Sequence, residues 1–245
     1  MIKVLDKTFA ILEKLALESP HPCRIGELAE AFGLNDATCA RILKELVDAG
    51  YAIRISRRDG YAAGPRAWTL ASHVRYREKL IRAAEPVIRH ASAEFEASVL
   101  LAERLGTERY ILLHHNGCRK LDIVLGQLSF HDLIDTATGL LLTAFAPEAE
   151  QKAIIEWYRA EGFDQLPADA PSLAEIRRRE RCVFRKSNQG VIAFPIRQNR
   201  EVTAVLGASV AVDDFTEPFE SRLIEGINRA ARQISQSIST IQTAG

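Results

Sequence analysis

Residues 24–43 constrain the fold more than any other segment, because they combine two short helical patterns with a glycine turn between them. Apolar residues of the first pattern recur at helical spacing, at Ile25, Leu28, Ala29 and Phe32. Gly33 can take the positive φ that ends a helix, and Asn35 can accept a hydrogen bond from a free N–H of the next helix. The segment therefore predicts a helix-turn-helix.

The second helix has two faces of different chemistry. Its apolar stripe consists of Cys39, Ile42, Leu43, Leu46 and Val47, and Gly50 ends it. The opposite face has small residues near its start and cations behind them, namely Ala37, Thr38, Ala40, Arg41 and Lys44. Small residues let a helix enter the major groove of DNA, while Arg can pair with guanine and Lys with phosphate. An ordinary pair of packed helices is the alternative interpretation of this segment alone.

The following residues predict a basic β-hairpin. Apolar and polar residues alternate over 51–56, and residues 61–64 would form the return strand. Asp59-Gly60 is a hairpin signal, because both residues tolerate positive φ. Three cations surround the predicted tip, at Arg54, Arg57 and Arg58. A preceding helix is predicted from the stripe Leu5, Phe9, Leu12 and Leu15, so three helices and a wing give a winged helix-turn-helix.

Taken together, these segments resemble the IclR family of bacterial transcriptional regulators. The resemblance rests on residues 4–15, 25–29, 33–34, 38–46, 50–51 and 61–64, and continues at 136–139 and 190–195. It implies an α+β fold, with an N-terminal winged helix-turn-helix and a C-terminal GAF-like effector domain built on an antiparallel sheet. We expect a DNA-binding domain over 1–65, a linker helix over 66–79, and an effector-binding and oligomerisation domain over 80–245.

The linker segment has an apolar stripe of its own, formed by Ala67, Leu70, Ala71 and Val74. Cations lie off this stripe, at Arg66, Arg75, Arg77 and Lys79. A solvated linker helix would explain the pattern, whereas the family resemblance implies a dimer contact.

From Leu80 onward the pattern changes to mixed helices and strands. Helices are predicted over 80–97, 136–146, 147–160, 173–181 and 217–242, with a kink or a new start at Pro86. Strands are predicted over 98–104, 110–115, 121–125, 190–196 and 202–212. Several antiparallel strands with helices packed on them fit the effector domain that the resemblance implies.

The resemblance also implies a small-molecule effector, commonly a metabolite acid. One candidate site is the predicted helix start formed by Thr136, Ala137, Thr138 and Gly139, where free N–H groups and hydroxyls suit a carboxylate. An ordinary helix cap, with Gly139 used for packing, is the alternative. A second candidate is the predicted loop 184–189, where Arg185 and Lys186 could clamp an anion; here the alternative is a solvated basic loop. This loop departs from the acidic, slightly longer one usual in the family.

Charge and cysteine content narrow the class of protein. The 245 residues have a net charge of zero, but residues 1–80 carry 13 Lys and Arg against 10 Asp and Glu. Between Thr38 and Arg66 there are six cations and three anions, a modest basic patch that dimerisation would double. Four cysteines without a C-x-x-C pair indicate reduced thiols. We expect a cytoplasmic protein, since no apolar run has membrane-spanning length and no signal peptide is evident.

A metal site and a catalytic site are not predicted. His114, His115, His131 and Cys118 lie close in sequence, but adjacent histidines on a strand point to opposite faces. No nucleophile elbow, phosphate-binding loop or zinc-hydrolase spacing is present, so an enzyme with a regulatory head is the last-ranked class and no cofactor is expected.

The sequence therefore predicts an effector-controlled transcriptional regulator. We expect it to bind an inverted-repeat operator in double-stranded DNA as a homodimer or a dimer of dimers. The alternative class is a DNA-binding architectural or co-regulatory protein whose C-terminal domain only dimerises.

Overall fold

The computed structural model describes residues 3–121, 129–163 and 166–240. The chain divides between Tyr76 and Arg77 into an N-terminal and a C-terminal unit, and each has its own hydrophobic core. The division falls within the segment 66–79, where the sequence predicts a linker. No helix in the described ranges is both long and apolar enough to cross a membrane.

The N-terminal unit contains three helices, a two-stranded antiparallel hairpin and a fourth helix. In chain order these are α1 (Lys3–Leu17), α2 (Ile25–Ala31), α3 (Asp36–Asp48), β1 (Ala52–Ser56), β2 (Gly60–Ala63) and α4 (Pro65–His73). This is the predicted winged helix-turn-helix arrangement, and α2 and α3 have the predicted turn between them.

The predicted stripe of α1 is wrong at Leu5 and Phe9 and confirmed at Leu15. Leu5 and Phe9 are exposed, by 46% and 60%, whereas Ile11 and Leu15 are fully buried. Only Leu15 belongs to both sets, because the helix is turned so that Ile11 meets the core that α2 and α3 share. Periodicity finds an apolar stripe, but here two overlapping stripes compete and packing selects one.

The C-terminal unit has five helices and a six-stranded sheet in its described residues. These are α5 (Glu78–Glu94), β3 (Ser98–Leu105), β4 (Glu108–Asn116), β5 (Ser129–Phe130), α6 (Ala137–Phe145), α7 (Glu148–Ala160), α8 (Leu173–Arg179), β6 (Cys182–Lys186), β7 (Gln189–Gln198), β8 (Glu201–Ala211) and α9 (Phe219–Thr240). The strand order is β5-β4-β3-β8-β7-β6, and every pairing is antiparallel.

Helices cover both faces of this sheet. On one face, which we call the α9 face, α5 and α9 pack on Val99, Leu101 and alternate residues of β7 and β8. On the other, the α6 face, α6, α7 and α8 pack on Ala102, Phe184 and Val205. The two apolar sets alternate along the strands, as the period-two geometry of a sheet requires.

One prediction for the C-terminal unit is wrong, and another falls outside the described residues. The helix predicted over 80–97 is present as α5, and Pro86 lies inside it, so no new helix starts there. The segment 184–189, predicted as a loop, is the hairpin of β6 and β7, with Ser187 at the turn in the left-handed region (φ 51°). The strand predicted over 121–125 lies almost wholly outside the described residues.

Candidate nucleic-acid interface and ligand site

The helix α3 is positioned by signals that are local in sequence. Gly33 takes a φ of 60°, and the Asn35 side chain accepts a hydrogen bond from the Thr38 N–H at 2.8 Å. Cys39 and Leu43 are fully buried against α1 and α2. Burial of that stripe turns the opposite face of α3 to solvent.

The predicted contact residues lie on the outer side of α3. Ala37, Arg41 and Lys44 are exposed, and Thr38 and Ala40 are half-buried. Within the described residues the Arg41 guanidinium has neither a hydrogen bond nor an ion pair, so it can pair with a base edge without losing a partner. Lys44 differs, because its Nζ lies 2.5 Å from Asp48 Oδ2, and this contact raises the Lys44 pKa.

The wing turn is built differently from the prediction. Ser56 pairs with Gly60, so residues 57–59 form a three-residue turn. The Ser56 hydroxyl accepts from the N–H groups of Arg58 at 3.1 Å and Asp59 at 2.9 Å, and donates to Asp59 Oδ2 at 2.7 Å. Within residues 57–60, Gly60 alone has a positive φ, of 95°, whereas Asp59 acts as a hydrogen-bond acceptor.

All three predicted wing cations are exposed. Arg57 and Arg58 lie in the turn itself, and the Arg54 guanidinium lies 5.9 Å from the centre of the Tyr61 ring. Ile53 and Ile55 are also exposed, by 41% and 50%, so β1 presents apolar side chains beside its cations. A basic tip on a short apolar ribbon suits contact with a phosphate backbone.

Two further contacts hold the wing in place, and sequence reasoning missed both. Cys23 and Tyr61 exchange two backbone hydrogen bonds, of 2.7 and 2.8 Å, which tie β2 to the segment before α2. Arg66 Nη1 donates to the Ala49 carbonyl at 3.0 Å, and its guanidinium lies 5.6 Å from the Tyr51 ring centre. The wing and the end of α3 are therefore one supported unit.

Helix α4 leaves its apolar side chains in solvent, and none of its residues is buried. Trp68 is 75% exposed, Leu70 59%, and Val74, just after the helix, 57%. The predicted stripe included Leu70 and Val74 but omitted Trp68, because Trp68 does not fall on the same helical repeat. An exposed apolar surface of this kind is typical of an interaction site.

At the predicted effector site the structure places all four residues around the start of α6. The Thr136 hydroxyl caps the helix by accepting from the Gly139 N–H at 3.1 Å, while Ala137, Thr138 and Gly139 are buried. A Cβ on Gly139 would lie 2.5 Å from the Asp132 carbonyl oxygen, and one on Gly207 would lie 2.3 Å from the Thr138 methyl. The Thr136 hydroxyl is therefore used to cap the helix, and Thr138 and Gly139 are in close packing contacts.

Arg185 and Lys186 are not brought together, because neighbours in a strand point to opposite faces. Arg185, on the α9 face, donates to the Phe215 carbonyl at 2.8 Å and to Glu220 at 2.7 Å. Lys186, on the α6 face, contacts the carboxylate and the carbonyl oxygen of Asp135, directly before α6. The two cations therefore cannot clamp one anion jointly, and that prediction is wrong. Of the two, only Lys186 lies beside the predicted effector site.

A buried polar cluster lies under α6, and sequence reasoning missed it. Two nitrogens of the Arg109 guanidinium contact the Asp132 carboxylate, and Nε donates at 2.7 Å. The third, Nη1, is buried and has no hydrogen-bond partner among the described residues. Tyr158 accepts from the Leu133 N–H at 2.7 Å, and burial raises the pKa of Tyr158 to about 12. These residues come from β4, the segment before α6, and α7, so no short motif could have indicated them.

The cysteines of this chain are buried, and His114 contacts a buried serine. All four cysteines are buried and unbonded, and burial raises the pKa of Cys182 to about 12. The Ser98 hydroxyl lies 2.8 Å from His114 Nε2. Within the described ranges, no three His, Cys, Asp or Glu side chains are grouped so that they could hold a metal ion.

The chain is similar to known proteins both in its N-terminal domain and in its whole fold. Residues 4–54 match the model of the IclR helix-turn-helix domain. In fold, 97% of the chain matches 99% of an IclR transcriptional regulator from Alicyclobacillus acidocaldarius, with 18% identity and a TM-score of 0.73. An IclR homologue from Microbacterium hydrocarbonoxydans, solved with 4-hydroxybenzoate, matches over 96% of this chain and 98% of its own, with 19% identity and a TM-score of 0.74.

A third solved structure, Thermotoga maritima IclR, is 21% identical, with a TM-score of 0.70, and the match covers 98% of this chain and 100% of that one. The resemblance predicted from the sequence is confirmed: the chain carries an IclR helix-turn-helix domain and has, over nearly its whole length, the fold of IclR-family transcriptional regulators.

Proposed function

We propose that this chain is a sequence-specific DNA-binding transcriptional regulator controlled by a small organic acid. The main support for DNA binding comes from the outer face of α3. It lies in a recognised IclR helix-turn-helix domain and begins at the Asn35 cap. It presents Arg41, which has no partner among the described residues, beside the basic wing. The proposed DNA contacts are Ala37, Thr38, Ala40, Arg41 and Lys44 of α3, and Arg54, Arg57 and Arg58 of the wing.

Within this proposal, the contacts on α3 and the wing have different roles. Arg41 reads a base, because its guanidinium can form two hydrogen bonds with guanine. Arg57 and Arg58 hold the phosphate backbone, which supplies affinity without sequence preference. Lys44 contributes less to DNA affinity than a free lysine would, because its ammonium group must leave Asp48 before it can bind a phosphate.

The proposed domain division keeps 1–65 for DNA binding, 66–79 as the linker and 80–245 for effector binding and oligomerisation. The exposed apolar side chains of α4 support a homodimer contact in the linker. Two-fold symmetry then pairs two α3 helices with an inverted repeat, and a dimer of dimers would pair two such sites. The protein would work in the cytoplasm.

The proposed effector site is the start of α6, with Lys186 and Asp135 at its edge. Thr136, Ala137, Thr138 and Gly139 stay in the site, whereas Arg185 is assigned to holding Phe215 and Glu220. The Microbacterium relative solved with 4-hydroxybenzoate supports an aromatic carboxylic acid as the first class to test. A carboxylate could displace Asp135 from Lys186 at little cost, because this ion pair is partly exposed.

Selection of bound sequences from random duplex DNA tests the DNA-binding proposal. We expect enrichment of an inverted repeat at about 0.1 M salt. Arg41→Ala should lower operator affinity by about 1–3 kcal/mol and relax the preference at one base position of each half-site. Lys14→Ala, in a groove formed by α1, the segment after it and α2, is the control. Unchanged affinity and specificity in Arg41→Ala would refute the assignment of Arg41.

One observation favours a second function, that of an architectural DNA-binding protein. Capping by Thr136 and packing at Gly139 explain the α6 start without any ligand. A thermal-shift screen with 4-hydroxybenzoate and aliphatic acids separates the two functions. A true effector at 100 times its dissociation constant stabilises its domain by about 2.7 kcal/mol. No shift with any acid, together with intact DNA binding, would favour the architectural function.

A further inference from the structure

A groove of about 370 Å³ lies in the C-terminal unit, where the end of α8, strand β7 and helix α9 meet. Four arginines line it, at positions 179, 181, 197 and 232, together with a single acid, Glu180. The size lies within the range of small-molecule sites in proteins. The lining differs from an ordinary apolar pocket in its concentration of guanidinium groups.

Arg197 forms the fixed base of this groove. Its Nη2 lies 2.6 Å from Glu180 Oε1, and its Nη1 donates to the Arg200 carbonyl at 2.9 Å. Its backbone N–H donates to the Ser235 hydroxyl at 3.0 Å. Glu180, the only acid of the groove, is therefore already paired with Arg197.

The other three guanidinium groups keep their charge available. The nearest acid to Arg179 is Glu175, 3.9 Å away, a long contact between exposed side chains. Arg181 and Arg232 form no ion pair or hydrogen bond with any described residue. A short, two-pronged contact with an anion would be stronger than anything these three groups have in the free protein.

The helix dipole explains only part of this cluster. Cations in the last turn of α8, including Arg179, are favoured by the free carbonyl groups there. Arg181 lies beyond the end of the helix, and Arg232 comes from the middle of α9, so neither gains from that dipole. Residues 81–245 carry 19 Lys and Arg against 22 Asp and Glu, which makes a positive groove unusual in this part of the chain.

We propose that this groove binds a small anion with two or more negative charges, of the phosphorylated-metabolite class. A single carboxylate engages one guanidinium fork, whereas a phosphate or diphosphate can engage several. The groove is separate from the candidate effector site. Arg197 lies 5.2 Å from the ring centre of Phe145, the last residue of α6, whereas Thr136 caps the first turn of that nine-residue helix. The two ends of α6 are about 13 Å apart.

Calorimetric titration of the full chain with inorganic pyrophosphate tests the proposal. The double variant Arg181→Gln/Arg232→Gln removes two charges from the groove, and Arg159→Gln/Arg222→Gln removes two exposed charges that do not line it. We expect pyrophosphate affinity to fall at least about tenfold in the groove variant and to change less than about twofold in the control. No binding to the wild type, or equal losses in the two variants, would overturn the proposal.

Two further measurements identify the kind of anion that the groove binds. Acetate should bind at least about tenfold more weakly than pyrophosphate, and equal affinity would overturn the requirement for several charges. DNA phosphates are the competing source of the same chemistry, so duplex DNA binding is measured for all three proteins. Loss of DNA affinity in the groove variant, without pyrophosphate binding to the wild type, would make the groove a DNA contact and overturn the small-anion assignment.

Discussion

At the scale of single residues, two glycines with positive φ have very different surroundings. A Cβ on Gly60 would lie 2.1 Å from the Cys23 carbonyl oxygen, whereas nothing lies within 4 Å of a Cβ on Gly33. Gly33→Ala should cost only left-handed backbone strain, about 1–2 kcal/mol. Gly60→Ala should cost more, because it also breaks the Cys23–Tyr61 bridge. Hydrogen exchange of the α3 and wing amides in the full chain measures the loss of stability in each variant. Equal losses in Gly33→Ala and Gly60→Ala would contradict the role of the close contact at Gly60.

His114 makes stability depend on pH. Burial, with a smaller contribution from His115, lowers the pKa of His114 below its usual 6.5. The unfolded chain therefore takes up this proton first as the pH falls, so stability is full above about pH 6.5 and decreases below it. Urea unfolding at about pH 7.5 and about pH 5.5 should show a smaller loss in His114→Gln than in the wild type. The exposed His90→Gln is the control, and identical losses in all three proteins would count against His114.

At the scale of elements, α3 depends on its cap. Asn35→Ala removes the acceptor for the Thr38 N–H and should destabilise the helix start by about 1 kcal/mol. Asn35→Ser retains an acceptor without adding charge at the DNA surface. We expect operator affinity to fall in the alanine variant and to be largely kept in the serine variant. The cap has no role in positioning α3 if the two variants bind DNA equally weakly.

Helix α6 allows packing to be separated from ligand binding. Gly139→Ala should destabilise the C-terminal unit with no ligand present, because its Cβ would meet the backbone of Asp132 and Leu133. Gly26→Ala, in α2, is the matched change in open space and should stabilise its helix by about 0.5–1 kcal/mol. Thermal unfolding of both variants measures this. An unchanged melting temperature in Gly139→Ala would remove the packing explanation.

The elements also show what the sequence could and could not predict. The turn before α3 was predictable, because a glycine and a cap act within a few residues. The orientation of α1 was not, since the choice between two stripes depends on α2 and α3. Arg109 and Asp132 are 23 residues apart, and only the folded sheet brings them together. The charged residues Arg185 and Lys186 favour a loop in the sequence pattern, whereas they form the end of the edge strand β6 in the structure.

At the scale of the whole molecule, DNA affinity should depend on dimerisation. Residues 1–80 carry a net charge of only +3, so one DNA-binding unit makes few phosphate contacts. Two linked units bind one operator with a high effective concentration for the second half-site. The slope of affinity against salt should therefore be about twice as steep for an inverted repeat as for a half-site.

Trp68→Ala tests whether α4 provides that dimer contact. Trp68 is the most exposed large apolar side chain among the described residues, at 75%, and its removal should weaken self-association in sedimentation experiments. Inverted-repeat affinity should fall with it, while half-site affinity stays the same, because Trp68 lies outside the proposed DNA contacts. Leu105→Ala, which removes an exposed apolar side chain at the end of β3, is the control. A Trp68→Ala protein that still dimerises and keeps the steep salt slope would place the dimer contact elsewhere in the chain.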